Sequence, residues 1–187
     1  PVSAMTSPYF PEAATPADEP AIETLLDDAF GLSRRTKTSY RLREGNTAAE
    51  GLSLVVREAG LGIVGTISYW PLRIGTAGTK ALLLGPIAIH PQRQNRGIGL
   101  ALMRMSLAKA AEQGHALVIL VGDAPYYARF GFERRLTQRL HMPGPVELDR
   151  FLALELRPNW LAEARGRLRA TGAKAPAQAP RKLRRAA

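Results

Sequence analysis

A polar turn between two apolar segments is the part of this sequence best suited to bind an anion. Residues 94–99 have the sequence Gln-Asn-Arg-Gly-Ile-Gly, follow a run of aliphatic residues and begin a segment with apolar residues at helical spacing. The first amides of a helix lack partners within the helix and carry the positive end of its dipole, and glycine lets an anion approach them closely. The turn therefore predicts a pyrophosphate site, with Arg93 and Arg96 adding positive charge.

Two other nucleotide-binding turns do not fit the same residues. A Walker A loop requires Lys and then Ser or Thr after its last glycine, but Gly99 is followed by Leu100. A dinucleotide fingerprint requires a further glycine where Leu102 stands, and a parallel sheet. The pattern by itself leaves open that Gly97 and Gly99 only begin a packed helix.

The composition is that of a single-domain globular protein and excludes chemistry that needs cysteine. The chain has 187 residues, of which 45% are hydrophobic, and it has no cysteine, so disulfides, thiolate metal sites and a cysteine nucleophile are excluded. No uncharged stretch reaches the roughly 20 residues of a membrane helix, and the first residues lack a secretory signal pattern. We therefore expect a cytoplasmic protein with no membrane partner and no bound metal.

Hydrophobic periodicity predicts that helices alternate with short strands. A first helix begins after Asp18 and ends at Gly31, and the basic residues 32–45 form either a second helix or a long loop. Gly85-Pro86 lies within a strand and requires a bulge or a free edge, because proline cannot donate to a ladder. The remaining elements are strands at 52–57, 63–70, 82–89, 116–121, 134–140 and 151–156 and helices at 97–113 and 124–130.

Two motifs together resemble those of the GNAT N-acetyltransferase superfamily. The first is the strand end Ile87-Ala88-Ile89 followed by the turn at 94–99, and the second is Tyr-Tyr-Ala-Arg-Phe-Gly-Phe at 126–132. The resemblance covers residues 9–156 and is sharpest over 82–132. It implies an α+β, single-domain GNAT-like fold, whose mixed, mostly antiparallel twisted sheet is splayed between the fourth and fifth strands, with helices on both faces.

The resemblance also implies an enzyme that transfers acetyl from acetyl-CoA to a primary amine by direct attack, without a covalent enzyme intermediate. The acid of the family is the tyrosine four residues before the glycine of the second motif, which is Tyr127 here. Asp123 is either a helix cap or a further cofactor contact. The other residues expected to bind acetyl-CoA are Ile87, Ala88, Ile89, Gln94, Asn95, Arg96, Gly97, Ile98 and Gly99.

The motifs do not specify the general base or the acceptor. The strand at 82–89 has no carboxylate, so we expect water to accept the proton of the amine, with His90 as a second candidate. The same lack supports an alternative function, a non-catalytic acyl-CoA-binding sensor or interaction module. Like-charge repulsion disfavours a polycationic acceptor and leaves a small-molecule or protein amine, because five basic residues fall on the expected acceptor side: Arg34, Arg35, Lys37, Arg41 and Arg43.

The two ends of the chain differ in charge, and this difference sets the predicted domain boundary. Residues 157–187 hold nine of the 26 Lys and Arg residues but only one acidic residue, Glu163. We expect an N-acetyltransferase domain over 1–171 and a basic, disordered tail over 172–187. The tail leaves nucleic-acid association as a third hypothesis, and the protein is expected to be a monomer or a homodimer.

Overall fold

The helices and strands alternate along the chain as predicted. The computed structural model describes residues 8–171, so the predicted tail lies outside the described residues. None of the helices in this range has the length and apolar character needed to cross a membrane. The helices are α1 Glu19–Phe30, α2 Thr38–Arg41, α3 Ile98–Glu112 and α4 Ala124–Ala128. The strands are β1 Glu12–Ala13, β2 Leu54–Glu58, β3 Gly62–Ile74, β4 Thr79–Ile89, β5 Leu117–Val121, β6 Leu140–His141, β7 Phe151–Glu155 and β8 Gly166–Ala170.

The strands form one mixed sheet that is mostly antiparallel, which confirms the expected fold class. Its order is β1-β2-β3-β4-β5-β7, and β8 pairs with β3 and with β6. The pairs are antiparallel except for β4 with β5 and β6 with β8. Because β4 and β5 are parallel, α3 makes the crossover between them.

β4 and β5 pair over only two residues and then separate. Their register joins Leu82 to Val118 and Leu83 to Ile119. Further along, β4 remains paired with β3, and the irregular Gly85-Pro86 step forms a bulge in that ladder. Both the splay between the fourth and fifth strands and the irregularity predicted at Gly85-Pro86 are confirmed.

Helices cover both faces of the sheet, because successive side chains of a strand point to opposite faces. Leu102 of α3 packs on one face with Leu54 and Val56 of β2. Leu25 of α1 packs on the other face with Val55, the β2 residue between those two. The sheet is therefore buried from both sides around the point where β4 and β5 separate.

In the late part of the chain, one predicted strand is wrong and one strand was not predicted. The strand predicted at 134–140 is a 3₁₀ turn, Arg134–Thr137, followed by the two-residue β6. The Thr137 hydroxyl donates to the Phe151 carbonyl at 2.7 Å, so a side-chain hydrogen bond fixes a turn where the pattern predicts a strand. β8 lies inside the predicted domain but was not predicted, because Leu168 is its only buried residue and leaves almost no apolar pattern.

Candidate functional site

The predicted anion turn presents unpaired backbone amides at the start of α3. Asn95 and Gly97 have left-handed backbone conformations, with φ of 59° and 84°, and no side chain caps the helix at Gly97. The first hydrogen bond of α3 runs from the Ala101 amide to the Gly97 carbonyl. Within residues 8–171, the amides of residues 95–100 donate to no other protein group. Such consecutive free amides form a concave site for an anion.

The polar side chains of the turn have different partners. Arg93 Nε donates to Glu58 Oε2 at 2.6 Å, so a carboxylate balances this charge. Gln94 Nε2 donates to the Ile89 carbonyl at 3.0 Å and ties the turn to the end of β4. Arg96 is exposed and has no carboxylate partner among the residues that the structure describes. Arg96 is therefore the free charge of the turn.

Two neighbouring cavities follow the open edge of β4. The turn lines a cavity of about 770 Å³, which we call the turn cavity. A second cavity of about 640 Å³, the strand-gap cavity, lies where β4 and β5 separate. Phe30, Ile87 and Tyr126 line both. The Tyr126 phenol oxygen lies 3.1 Å from where a Cβ on Gly99 would stand, so the absence of a side chain at Gly99 lets α4 approach α3.

The open edge of β4 presents the backbone groups of alternate residues. The His90 amide donates to the opposite carbonyl on β3 at 2.8 Å, and Ala88 faces Thr66 in the same register. In an antiparallel ladder, the residues between such pairs direct their backbone groups to the other edge. Ile87 and Ile89 therefore present backbone groups on the cavity side, whereas those of Ala88 face β3. Of the three predicted residues, Ile87 and Ile89 lie on the open edge, but the Ile89 carbonyl already accepts from Gln94 Nε2.

Tyr127 lines the strand-gap cavity and is almost completely buried. Its ring packs edge-on against Tyr126 and Phe132, with centroid distances of 5.0 and 5.9 Å. A Cβ on Gly122 would lie 2.4 Å from Cε2 of this ring, so glycine makes room for the tyrosine. Burial, with a smaller contribution from Tyr126, raises the pKa of Tyr127 to about 12. The phenol is consequently protonated at neutral pH, and within residues 8–171 it has no hydrogen-bond partner.

Asp123 and His90 each accept a hydrogen bond from a nearby backbone amide. Asp123 Oδ2 accepts from the Tyr126 amide at 3.1 Å, which confirms that Asp123 caps α4. A contact between Asp123 and a cofactor stays a prediction, although Asp123 also lines the strand-gap cavity. His90 Nδ1 accepts from the Gln92 amide at 3.1 Å, and His90 lines neither cavity. The position of His90 does not favour it as a base.

The wall of the strand-gap cavity formed by residues 34–43 is basic. Four of the five basic residues predicted for the acceptor side line it, and Arg35 does not. Arg34 is 7% exposed and pairs with Glu23 and Asp27, so its charge is balanced within the protein. Two further charged residues line the cavity from the loop before β7, and the sequence did not single them out: Glu147 and Arg150.

The chain is similar to known acetyltransferases in sequence. Residues 11–135 match the family model described as the acetyltransferase (GNAT) domain. The uncharacterised N-acetyltransferase YhbS of Escherichia coli K12 is 28% identical over 118 residues, covering 63% of this chain and 70% of that protein. The uncharacterised N-acetyltransferase YjhQ of the same organism is 31% identical over 119 residues, covering 63% of this chain and 65% of that protein.

Solved structures share the fold. Escherichia coli YhbS, crystallised with CoA, superposes with a TM-score of 0.74 at 24% identity, covering 90% of this chain and 93% of that one. A GNAT family acetyltransferase from Brucella melitensis, crystallised with acetyl-CoA, superposes with a TM-score of 0.64 at 26% identity, covering 89% and 97%. Among residues 8–171, no group of three or more His, Asp or Glu residues is placed to hold a metal ion.

Proposed function

The chain belongs to the GNAT acetyltransferase family, and from this premise we propose that it transfers an acetyl group from acetyl-CoA to the primary amine of a small molecule or protein. The observation that carries the proposal is the row of free amides at residues 95–100 beside the gap between β4 and β5. Family membership favours an enzyme over the alternative of a non-catalytic acyl-CoA sensor.

The turn and the β4 edge are proposed to bind different parts of the cofactor. The amides of residues 95–100 would hold the pyrophosphate, because they are free and lie at the positive end of α3. Arg96 adds a charge, and Gln94 fixes the turn to β4 rather than reaching outward. The backbone groups of Ile87 and the amide of Ile89 would pair with the extended pantetheine arm, as a further strand would.

Tyr127 is proposed as the proton donor of the reaction. Acetyl-CoA supplies an activated acetyl thioester that the amine attacks directly, without a covalent enzyme intermediate. Tyr127 holds a proton on Oη where the two strands separate, and its position in the strand-gap cavity suits donation to the departing sulfur. The raised pKa of Tyr127, about 12, keeps this proton on the phenol at neutral pH.

The general base is proposed to be water. Two carboxylates line the strand-gap cavity, Asp123 and Glu147. Asp123 is bound to the first turn of α4, and Glu147 is exposed on the loop before β7. We assign neither carboxylate as the base, and the ammonium group of the acceptor loses its proton to solvent before attack.

Binding and turnover measurements test the proposal separately. Isothermal titration with CoA and with pantetheine, which lacks the diphosphate, should show that CoA binds at least 10-fold more tightly. Equal affinities would contradict the proposed role of the turn. Release of free thiol from acetyl-CoA should then depend on added amine in a saturable way. Tight binding of acetyl-CoA with no amine-dependent release from a broad amine panel would favour the sensor.

A further inference from the structure

Arg43 places a guanidinium group at the point where β4 and β5 part. Arg43 lines the strand-gap cavity, and its Nη2 lies 3.0 Å from the position of a Cβ on Gly85. Gly85 is two residues beyond Leu83, the last β4 residue paired with β5, and two residues before Ile87. Gly85 has φ of 125°, and a side chain here would push Arg43 away. The glycine therefore brings a cation close to the β4 edge.

No group among the described residues neutralises this cation. Arg43 Nε is enclosed and has no hydrogen-bond partner. The nearby Gly85 carbonyl accepts instead from Trp70 Nε1 at 2.7 Å and from Ser68 Oγ at 3.2 Å. Burial, followed by the charge of Arg34, lowers the pKa of Arg43 to about 10. The folded protein thus retains an arginine in an unfavourable electrostatic environment.

Arg34 lies in the same wall, and its charge is balanced by two carboxylates of the protein. Arg34 Nη2 and Nε donate to Glu23 Oε2 at 2.5 Å and to Asp27 Oδ1 at 3.0 Å. Buried charges are normally paired in this way, because an unpaired one is costly. Arg43 has no such partner within residues 8–171, although it faces the same cavity.

We infer that Arg43 binds a carboxylate of the acceptor, and that the substrate class of this enzyme is primary amines that carry a carboxylate. The inference rests on the proposed function and names its acceptor. A guanidinium group presents paired N–H donors in a plane, which matches the two oxygens of a carboxylate. Lys37, Arg41 and Arg150 line the same cavity and add a positive field that draws an anionic acceptor toward Arg43.

The test compares matched amines on two enzyme variants. The panel contains α-, β- and γ-amino acids and their carboxamides, with phosphate-bearing primary amines as a further arm. For wild type, kcat/KM should be higher for carboxylates than for carboxamides. In Arg43→Gln, this ratio should fall by about 10- to 100-fold, the range expected when a hydrogen bond to a charged group is lost. An amino acid and its carboxamide differ in amine pKa, but this difference is the same for both variants. Its effect on kcat/KM therefore cancels when the ratios of the variants are compared.

A charge-matched control separates a specific contact from the general field. Arg35→Gln removes one positive charge from the same wall segment, but Arg35 is 52% exposed and does not line the cavity. The carboxylate-to-carboxamide ratio of this variant should remain within about 2-fold of wild type. Equal losses of the ratio in Arg35→Gln and Arg43→Gln would overturn the assignment to Arg43.

The Tm shift that each amine of the panel causes in the CoA-loaded protein tests the inference independently of turnover. Carboxylate members of the panel should raise the Tm of wild type more than their carboxamides do, and Arg43→Gln should lose the difference. The Tm of the variant without ligand should equal or exceed that of wild type, because an unpaired charge is removed. No preference for carboxylates in Tm, or a preference for phosphate-bearing amines, overturns the inference. Carboxylate binding without acetylation instead contradicts the proposed function.

Discussion

The turn cavity and the strand-gap cavity are neighbours, but the first offers main-chain donors and the second offers side-chain groups. At the turn cavity, the free donors are main-chain amides from one continuous segment, residues 95–100, although residues of α1, β4 and α4 also line this cavity. The strand-gap cavity is formed by side chains from four distant segments, and its wall holds five arginine and lysine residues. One end of the proposed site therefore depends on backbone conformation, and the other depends on side-chain identity.

This difference determines which substitutions should matter at each end. At the turn, a change that leaves φ and the amide directions intact should be tolerated, because the amides of all residues are alike. In the strand-gap cavity, replacing one phenol or one guanidinium removes a side-chain group at a specific position, which the neighbouring side chains do not occupy. Glycine substitutions should thus dominate at the turn, and loss of single polar groups should dominate in the strand-gap cavity.

The largest effect is expected from Gly97→Val at the turn. Gly97 has φ of 84°, a conformation in which a β-branched residue is strained. The turn should rearrange to relieve the strain, which redirects the amides, and the affinity for CoA should fall by more than about 100-fold. Isothermal titration calorimetry measures this change directly.

Gly78→Val is the matched control for backbone strain. Gly78 has φ of 68° in the turn between β3 and β4, with open space around the added side chain. Both variants should lose a similar amount of stability, about 1–2 kcal/mol, since the strain is alike. Gly78→Val should nevertheless bind CoA as wild type does. Unchanged affinity in Gly97→Val would show that the turn is not the pyrophosphate site.

In the strand-gap cavity, the largest effect on turnover is expected from Tyr127→Phe. The substitution removes the proton on Oη but keeps the packed ring, so kcat should fall on the order of 10²-fold while the Kd of CoA stays within about 2-fold. The pH profile sharpens the assignment. Because the pKa of Tyr127 is raised to about 12, kcat of wild type should not decline through Tyr127 ionisation below about pH 10.

Tyr69→Phe is the matched control for loss of a buried phenol. Tyr69 is fully buried, and its hydroxyl is 2.6 Å from Ser106 Oγ rather than facing a cavity. Its removal should lower the free energy of unfolding by about 1 kcal/mol and leave kcat close to wild type. If Tyr69→Phe and Tyr127→Phe slow turnover equally, the effect of Tyr127 is one of packing and another proton donor is required.

The contrast between the two cavities also explains what the sequence could predict. The turn is local, so the spacing of Gly97 and Gly99 after a strand was enough to locate it, and the bulge at Gly85-Pro86 followed from the missing proline donor. The pairing of Arg34 and the isolation of Arg43 could not be predicted, because both depend on which distant segments meet at the cavity. β8 was missed because it owes its place to pairing with β3 rather than to its own apolar pattern.

A smaller effect, on stability rather than turnover, should distinguish the two arginines of the cavity wall. Arg34→Gln leaves Glu23 and Asp27 without their buried partner and should lower the free energy of unfolding by about 1–3 kcal/mol. Arg43→Gln should not lower it. Urea denaturation of the two variants without ligand measures both values. Equal losses would mean that Arg43 is paired in solution and is not held free for a ligand.

The smallest effect is expected from Arg96→Gln, because side-chain charge at the turn only supplements the amides. Arg96 is exposed, and screened contacts of this kind contribute about 0.5–1 kcal/mol, so the affinity for CoA should fall by about 2- to 5-fold. The loss should shrink as salt rises, since it is electrostatic. Arg104→Gln removes the charge of another exposed arginine, eight residues beyond Arg96 and away from the free amides, and should leave the affinity unchanged. A 100-fold loss in Arg96→Gln would instead mean that the turn, like the strand-gap cavity, depends on one side chain.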